Sequence, residues 1–308
     1  MYPLETCKGI RYIECMSKTP KLPTLKQFLA DYPTDDSCLD HLMETRYGKR
    51  HECAKCGKLA NFHRVKARRC YECDFCGYQV YPTAGTPFEN TRTSLRDWFT
   101  VMFLFCSSRN GVSAKEVQRT IGVTYKTAWR MCNLIRQYMG YVDGDNALGG
   151  PGGGIVEADK AFFGGVDKQG EDDKAVVLGI IERGGEVVTK VIPGRGRKHV
   201  LPAIYKWVRQ GSRVATDEAG AFRELGELGY RHGTVNHRKG EYVSGEVHTN
   251  NIEAFWAHVK RSMCGTYVSV SKKWLQTYLW EFEFRQNLRK HPHLMLDLLL
   301  QSFPRPAR

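Results

Sequence analysis

The sequence contains no apolar run near the ~18 residues that a membrane-crossing helix needs, and its longest, WFTVMFLFC at 98–106, falls well short. Its opening, MYPLETCKGIRYIEC, lacks the apolar core of a secretory signal. The expectation is a chain of the cytosol, in a bacterium the cytosol or nucleoid, with no membrane partner. Acidic residues are also scarce: 33 Asp and Glu face 46 Lys and Arg, a formal charge of +13. That balance disfavours a basic partner and favours a polyanion, whose counterions a cationic surface displaces. The deficit is uneven, with 22 Lys and Arg against 13 Asp and Glu in residues 1–140 and 24 against 20 in the remainder. The front half is therefore expected to grip nucleic acid. What is present suits a globular protein: 308 residues, 42% of them hydrophobic, give room for roughly two domains with real cores.

Eleven cysteines in a reducing compartment point to metal ligation or core packing before disulfides. Cys53-x-x-Cys56 and Cys73-x-x-Cys76 are each followed at once by glycine, Gly57 and Gly77. Two thiolates at that spacing grip one face of a tetrahedral ion from a tight turn, and the second pair closes the coordination. A zinc ribbon holding one structural Zn²⁺ is expected, with Cys70 a spare that lacks a partner at the x-x spacing. Arg64, Lys66, Arg68 and Arg69 between the pairs read either as a solvated charge run or as phosphate contacts.

Downstream, GVSAKEVQRTIGVTYKTAWRMCNLIRQYM carries apolar residues at helical spacing on both sides of Gly122-Val123-Thr124. This resembles a helix-turn-helix, with Thr124 capping the second helix. Lys126, Thr127 and Arg130 then lie near the helix end that enters a DNA groove. GYVDGDNALGGPGGG has no apolar period and reads as a linker. The expected division is an N-terminal helical segment 1–48, a ribbon 49–90, a helix-turn-helix domain 91–140, a linker 141–154, a catalytic domain 155–292 and a tail 293–308.

Beyond the linker, GIVEADKAFFGG reads as a strand and KAVVLGIIERGGEVVTKVIPG as two more, turning at Gly184-Gly185. RKHVLPAIYKWVRQG is a helix with Pro202 in its first turn. SRVATDEAGAF is a fourth strand, followed by a short helix, a fifth strand near RHGTVNH and a helix around Glu253. The order matches an RNase H-like α/β domain, a mixed sheet flanked by helices. A crossover helix lets the fourth strand lie parallel to the first, making Asp159 and Asp217 neighbours, and the Glu253 helix can bring a third carboxylate to them. Carboxylates suit hard divalent cations such as Mg²⁺ or Mn²⁺. Two such ions stabilise both the attacking and the departing oxygen of a phosphodiester.

IVEADKAFFGG, TDEAGAF, VNHRKGEYVSGEVHTNNIEAFWAHVKR and GTYVSVSKKWLQTYLWEFEFRQN together resemble the catalytic domain of bacterial insertion-sequence DDE transposases with an N-terminal zinc ribbon. The resemblance extends over roughly residues 35–290. It implies Asp159, Asp217 and Glu253 as the triad that binds two Mg²⁺ or Mn²⁺ ions, and Lys260 as a DNA-contacting cation. It implies double-stranded DNA as partner, both the element's terminal inverted repeats and the target, and a homo-oligomer assembled on paired ends. The implied activity is metal-dependent cleavage at element ends and strand transfer.

Other readings stay open. The family has an acidic residue after the first aspartate where this chain has Lys160, which favours an inactive DNA-binding regulator unless Lys160 points away from the site. A structure-selective nuclease on the same fold is a third reading. Asn250 followed by Glu253 also reads as a local capping box. Glu157 shares a strand face with Asp159 and reads either as a residue that orients the metal ligands or as an alternative ligand, while His237, His248, Asn250 and Asn251 read as turn or water-positioning residues. Trp256 reads as a core anchor, and Trp274, Tyr278 and Phe282 as the buried stripe of the last long helix.

Overall fold

The computed structural model describes residues 21–144, 146–164, 174–217, 220–235 and 245–304; His237 lies outside them. Two helices open it, α1 (Leu25–Asp31) and α2 (Asp35–Tyr47). Each is entered through a threonine, Thr24 or Thr34, whose hydroxyl accepts from the third helical amide. An antiparallel sheet follows in the order β1 (Arg50–Glu52), β2 (Leu59–Val65), β3 (Cys70–Cys73), β4 (Gln79–Val80). Arg64 and Arg69 tie this sheet to α2, reaching Asp36 at 2.8 Å and Asp35 at 3.3 Å, and Arg68 reaches Gln79. Most of that charge run therefore has a protein partner.

Helix α3 (Leu95–Ser107) is apolar on nearly every side and buried accordingly. Helices α4 (Ala114–Ile121) and α5 (Tyr125–Asp143) are joined by a turn in which Gly122 takes a left-handed conformation, φ 70°, open to glycine without strain. The Thr124 hydroxyl accepts from the Thr127 amide, as expected. Helix α5 runs three residues past the anticipated boundary at 140, and Asp143 accepts from Asn287 Nδ2.

The glycine-rich stretch differs from a free linker. Leu148 is buried and bridges Val208, while the amides of Gly149 and Gly154 bond Glu182 and that of Gly150 bonds Ser212. A Cβ on Gly149 would sit 2.5 Å from Ser212 Oγ and 2.8 Å from Val156 Cγ2. Glycine serves close packing here, which composition does not distinguish from flexibility.

The second sheet has the order β7-β6-β5-β8-β9, formed by β5 (Val156–Phe163), β6 (Ala175–Glu182), β7 (Val187–Ile192), β8 (Arg213–Asp217) and β9 (Arg231–Val235). Strands β5, β6 and β7 pair antiparallel, whereas β8 and β9 run parallel to β5. Helix α6 (Arg197–Trp207) makes the crossover to β8. Pro202 is its sixth residue, not in the first turn as expected. One face of the sheet, through Val156, Ala158, Leu178 and Val214, packs on α6 and a short 3₁₀ turn, Gly220–Leu225. The other face, through Ala161, Val177 and Ile181, packs on α7 (Asn250–Ser262) and α8 (Lys272–Asn287).

Two further expectations change. The stripe of α8 is centred on Leu275, Leu279 and Phe282; Trp274 and Tyr278 are half-buried, facing Trp129 at 5.0 Å and the Arg136 guanidinium at 4.0 Å. The anticipated tail is α9 (Leu294–Ser302), whose Leu296, Leu299 and Leu300, with Phe303, join the core of α2, α3 and α5. Burying that apolar face accounts for a helix where a tail is expected.

Candidate active site

The sheet register brings two of the anticipated carboxylates level. Val156, Glu157 and Ala158 lie opposite Val214, Ala215 and Thr216, so the next step sets Asp159 opposite Asp217 on strands about 4.8 Å apart. Alternation turns Glu157, Asp159 and Ala161 to the α7 face and Val156, Ala158 and Lys160 to the α6 face. Lys160 follows that rule: its Nζ lies 4.7 Å from the ring centroid of Phe222 in the 3₁₀ turn. The residue that made an inactive protein plausible therefore points across the sheet from Asp159.

Helix α7 lies on the Asp159 face because Ile252, Phe255, Trp256 and Val259, spaced at i, i+3, i+4 and i+7, are buried against β5, β6 and α8. Trp256 is a core anchor, as expected, and Gly179 of β6 makes room for it: a Cβ there would meet its ring at 2.3 Å. Glu253 stays half-buried between this stripe and solvent. Burial, and then the negative charges of Asp217 and Glu253, push the Asp159 carboxyl up to about 6; the Lys160 backbone N–H, bonded to Oδ1 at 2.7 Å, and the Lys160 charge pull it down. The charges of Asp217 and Glu253 thus both bear on Asp159, an environment that a divalent cation would relieve, and hard oxygen donors fit Mg²⁺ or Mn²⁺.

The capping-box alternative for Glu253 does not hold. The helix begins at Asn250, placing Glu253 fourth rather than third, and its carboxylate accepts instead from the Thr249 hydroxyl at 2.6 Å. The cap comes from Glu157, fully buried, which accepts from the amides of Asn251 at 2.9 Å and Ile252 at 3.1 Å, from Asn251 Nδ2 at 2.8 Å and from Arg183 Nε at 2.7 Å. His248 Nδ1 lies 3.3 Å from the same carboxylate. Glu157 is saturated and is not an alternative metal ligand. Only its place on the Asp159 face was legible; a cap supplied by a strand 94 residues away has no local pattern.

The ribbon brings its four cysteines together. All four sulfurs lie within 4.8 Å of one another, with Cys53–Cys76 at 3.6 Å and Cys56–Cys73 at 3.9 Å. Tetrahedral zinc with ~2.3 Å bonds to sulfur asks for about 3.8 Å between ligands, so the donor set fits a structural zinc. Gly57 and Gly77, both at φ 66°, turn each knuckle and donate to the carbonyls of Cys53 and Cys73. Cys70 is buried in β3, apart from the cluster.

Among the anticipated DNA contacts, Lys126 and Arg130 are exposed one turn apart on α5, whereas Thr127 is half-buried and engages the Thr124 cap with both its amide and its hydroxyl. Lys260 is exposed two turns beyond Glu253 on α7, about 10 Å along the axis. No described helix is long and apolar enough to cross a membrane.

Comparison with known proteins agrees with this organisation. Residues 151–287 match the ISXO2-like transposase domain, and residues 33–79 match the transposase zinc-ribbon domain. An uncharacterized protein in transposable element ISH50 of Halobacterium salinarum is 28% identical over 244 residues, covering 72% of this chain and 80% of the relative. An uncharacterized transposase-like protein of Haemophilus influenzae is 29% identical over 102 residues, covering 33% of this chain and 81% of the relative. The zinc-ribbon and transposase-domain matches fall in that order along one polypeptide, so the chain is similar to ISXO2-like transposases in both segments.

Proposed function

We propose that the protein cleaves DNA at the ends of an insertion sequence and transfers the freed strand into target DNA, using Asp159, Asp217 and Glu253 as one metal-binding triad. The observation that carries this reading is the parallel β5–β8 register together with the rise of the Asp159 carboxyl beside Asp217 and Glu253. The strand order, three antiparallel strands continued by two parallel ones, supports an RNase H-like domain. Two Mg²⁺ or Mn²⁺ ions bound by the triad would stabilise charge on the attacking and departing oxygens.

The chain's own groups divide the remaining work. Asp159 and Asp217 offer oxygens from rigid adjacent strands, and Glu253 faces them from a helix whose apolar side is locked into the core. Lys260, exposed two turns along, would hold a phosphate of the bound strand. The helix-turn-helix reading rests on the Gly122 turn, the Thr124 cap and the exposed Lys126 and Arg130, which would grip the terminal inverted repeat with the zinc ribbon beside them. Two ends must be held together for transfer, so a homo-oligomer assembled on DNA is part of the proposal.

The test is nicking and strand transfer on a duplex carrying the element's end, with Mg²⁺ present and absent, for the wild type, Asp159→Asn and Glu253→Gln. Loss of product in both variants, with binding to the end retained, is expected. Equal product from all three overturns the catalytic assignment, and cleavage without joining on every substrate would move the protein to the nucleases.

A further inference from the structure

We propose that Glu157 is a positioning residue: through Asn251, Ile252 and Arg183 it fixes the start of α7 against β5, and so holds Glu253 where it shares divalent cations with Asp159. The proposal rests on the triad reading above.

A helix start is ordinarily satisfied by the residue just before it. Thr249 makes no such bond here; its hydroxyl is turned to the Glu253 carboxylate. The first free amides of α7 are satisfied from another element, by a fully buried carboxylate two residues before Asp159 on the same strand face. A buried carboxylate is costly unless its charge is matched and its lone pairs filled. Arg183, in the turn between β6 and β7, supplies the charge and binds the approach to α7, donating to the carbonyls of Glu246 at 2.8 Å and His248 at 3.0 Å. The Arg183 amide also bonds the Ile155 carbonyl, next to β5. Strand, turn and helix entry thus meet on one carboxylate. Asn251, which it holds by backbone and side chain, is two residues from Glu253.

This arrangement separates positioning from stability in a measurable way. Groups that orient metal ligands without touching the metal change affinity by about 10- to 100-fold when removed. The experiment is Mn²⁺ titration, followed by calorimetry and by the Mn²⁺ electron paramagnetic signal, on the full-length zinc-loaded protein. The variants are Glu157→Gln, Asn251→Ala and Asp159→Asn, with amide exchange measured across residues 248–256 and thermal midpoints for each. Glu157→Gln is expected to bind Mn²⁺ about tenfold more weakly, with faster exchange confined to the start of α7. Mn²⁺ affinity within twofold of wild type, whatever the thermal midpoint, overturns the proposal and leaves Glu157 a purely structural residue. If Glu157→Gln does not fold, Asn251→Ala decides by the same two readouts. A wild type that binds no Mn²⁺, or an Asp159→Asn variant that binds it equally well, overturns the triad reading instead.

Discussion

The Asp159 carboxyl makes a prediction about stability that needs no DNA. Its ordinary value of 3.8 is pushed up to about 6 by burial and by two neighbouring carboxylates. A raised acid binds its proton more tightly in the folded than in the unfolded chain, so it costs nothing below about pH 4, where both states are protonated. Stability falls as pH rises through the interval from about 4 to 6, and above that the loss is complete. At about 1.4 kcal/mol per pH unit the cost at neutral pH approaches 3 kcal/mol. Asp159→Asn removes the charge and keeps an amide oxygen to accept from the Lys160 N–H, so in Mg²⁺-free buffer, with zinc retained, it should be more stable than wild type at pH 8. For a chain this long about 2 °C accompanies each kcal/mol, which puts the gain near 5 °C. The gain should vanish at pH 4. Millimolar Mg²⁺ or Mn²⁺ should raise the wild type toward the variant and leave the variant unmoved. Thermal melts followed by circular dichroism at pH 4, 6 and 8 check this. Equal midpoints at pH 8, with no response of the wild type to either ion, would refute the account of an Asp159 carboxyl raised by burial and by two neighbouring charges.

Removing zinc with a strong chelator, or Cys73→Ser, should unfold the ribbon and expose residues 49–80 to limited proteolysis, because its small sheet has little core besides the cysteines and Ala60; metal analysis should give one zinc per chain before treatment. Arg136→Met should cost less in denaturant unfolding than the about 3 kcal/mol of stranding a buried charge, because Glu281, fully buried and bonded to Arg136 Nε at 2.7 Å, keeps Arg285 at 2.6 Å. Gly179→Ala should cost about 1–3 kcal/mol and depress nicking, since its Cβ meets the Trp256 ring and would move α7; normal nicking rates would contradict the seating of α7 described here. Lys126→Ala and Arg130→Ala should each weaken end binding and lower the salt dependence of the binding constant by about one in slope, measured by fluorescence anisotropy over a salt series.

How far the sequence foretold this arrangement depended on how local each signal was. The ribbon was legible because two x-x spacings and two glycines define the metal turn within a few residues. The crossover was legible because β-branched runs flank one helix, and it alone put Asp159 beside Asp217. The linker misled because glycine has two uses, and only the neighbours of Gly149 say which applies. The terminal helix is not legible although LMLDLLLQSF is apolar, since the rings that meet Phe303 at its end, Trp98 and Tyr138, lie far back in the chain. Arg136 carries a signal in the sequence: it falls among Cys132, Ile135 and Met139 on the buried face of α5, where a charge requires an equally buried partner.

That partner explains why the two halves hold together. Helix α8 packs Leu275, Leu279 and Phe282 beside α7 and contributes Phe284 to the front core, while its Glu281 takes Arg136 of α5 and the hydroxyl of Tyr267, which follows α7. Arg136 also donates to the Val112 carbonyl just before α4. A shift of α5 relative to α7 would have to break a buried ion pair, and that costs more than a typical local opening. Helix α5 and the helix carrying Glu253 are therefore coupled through charge buried in α8. The glycine-rich stretch, bonded to Glu182 and Ser212, adds a second tie instead of a hinge.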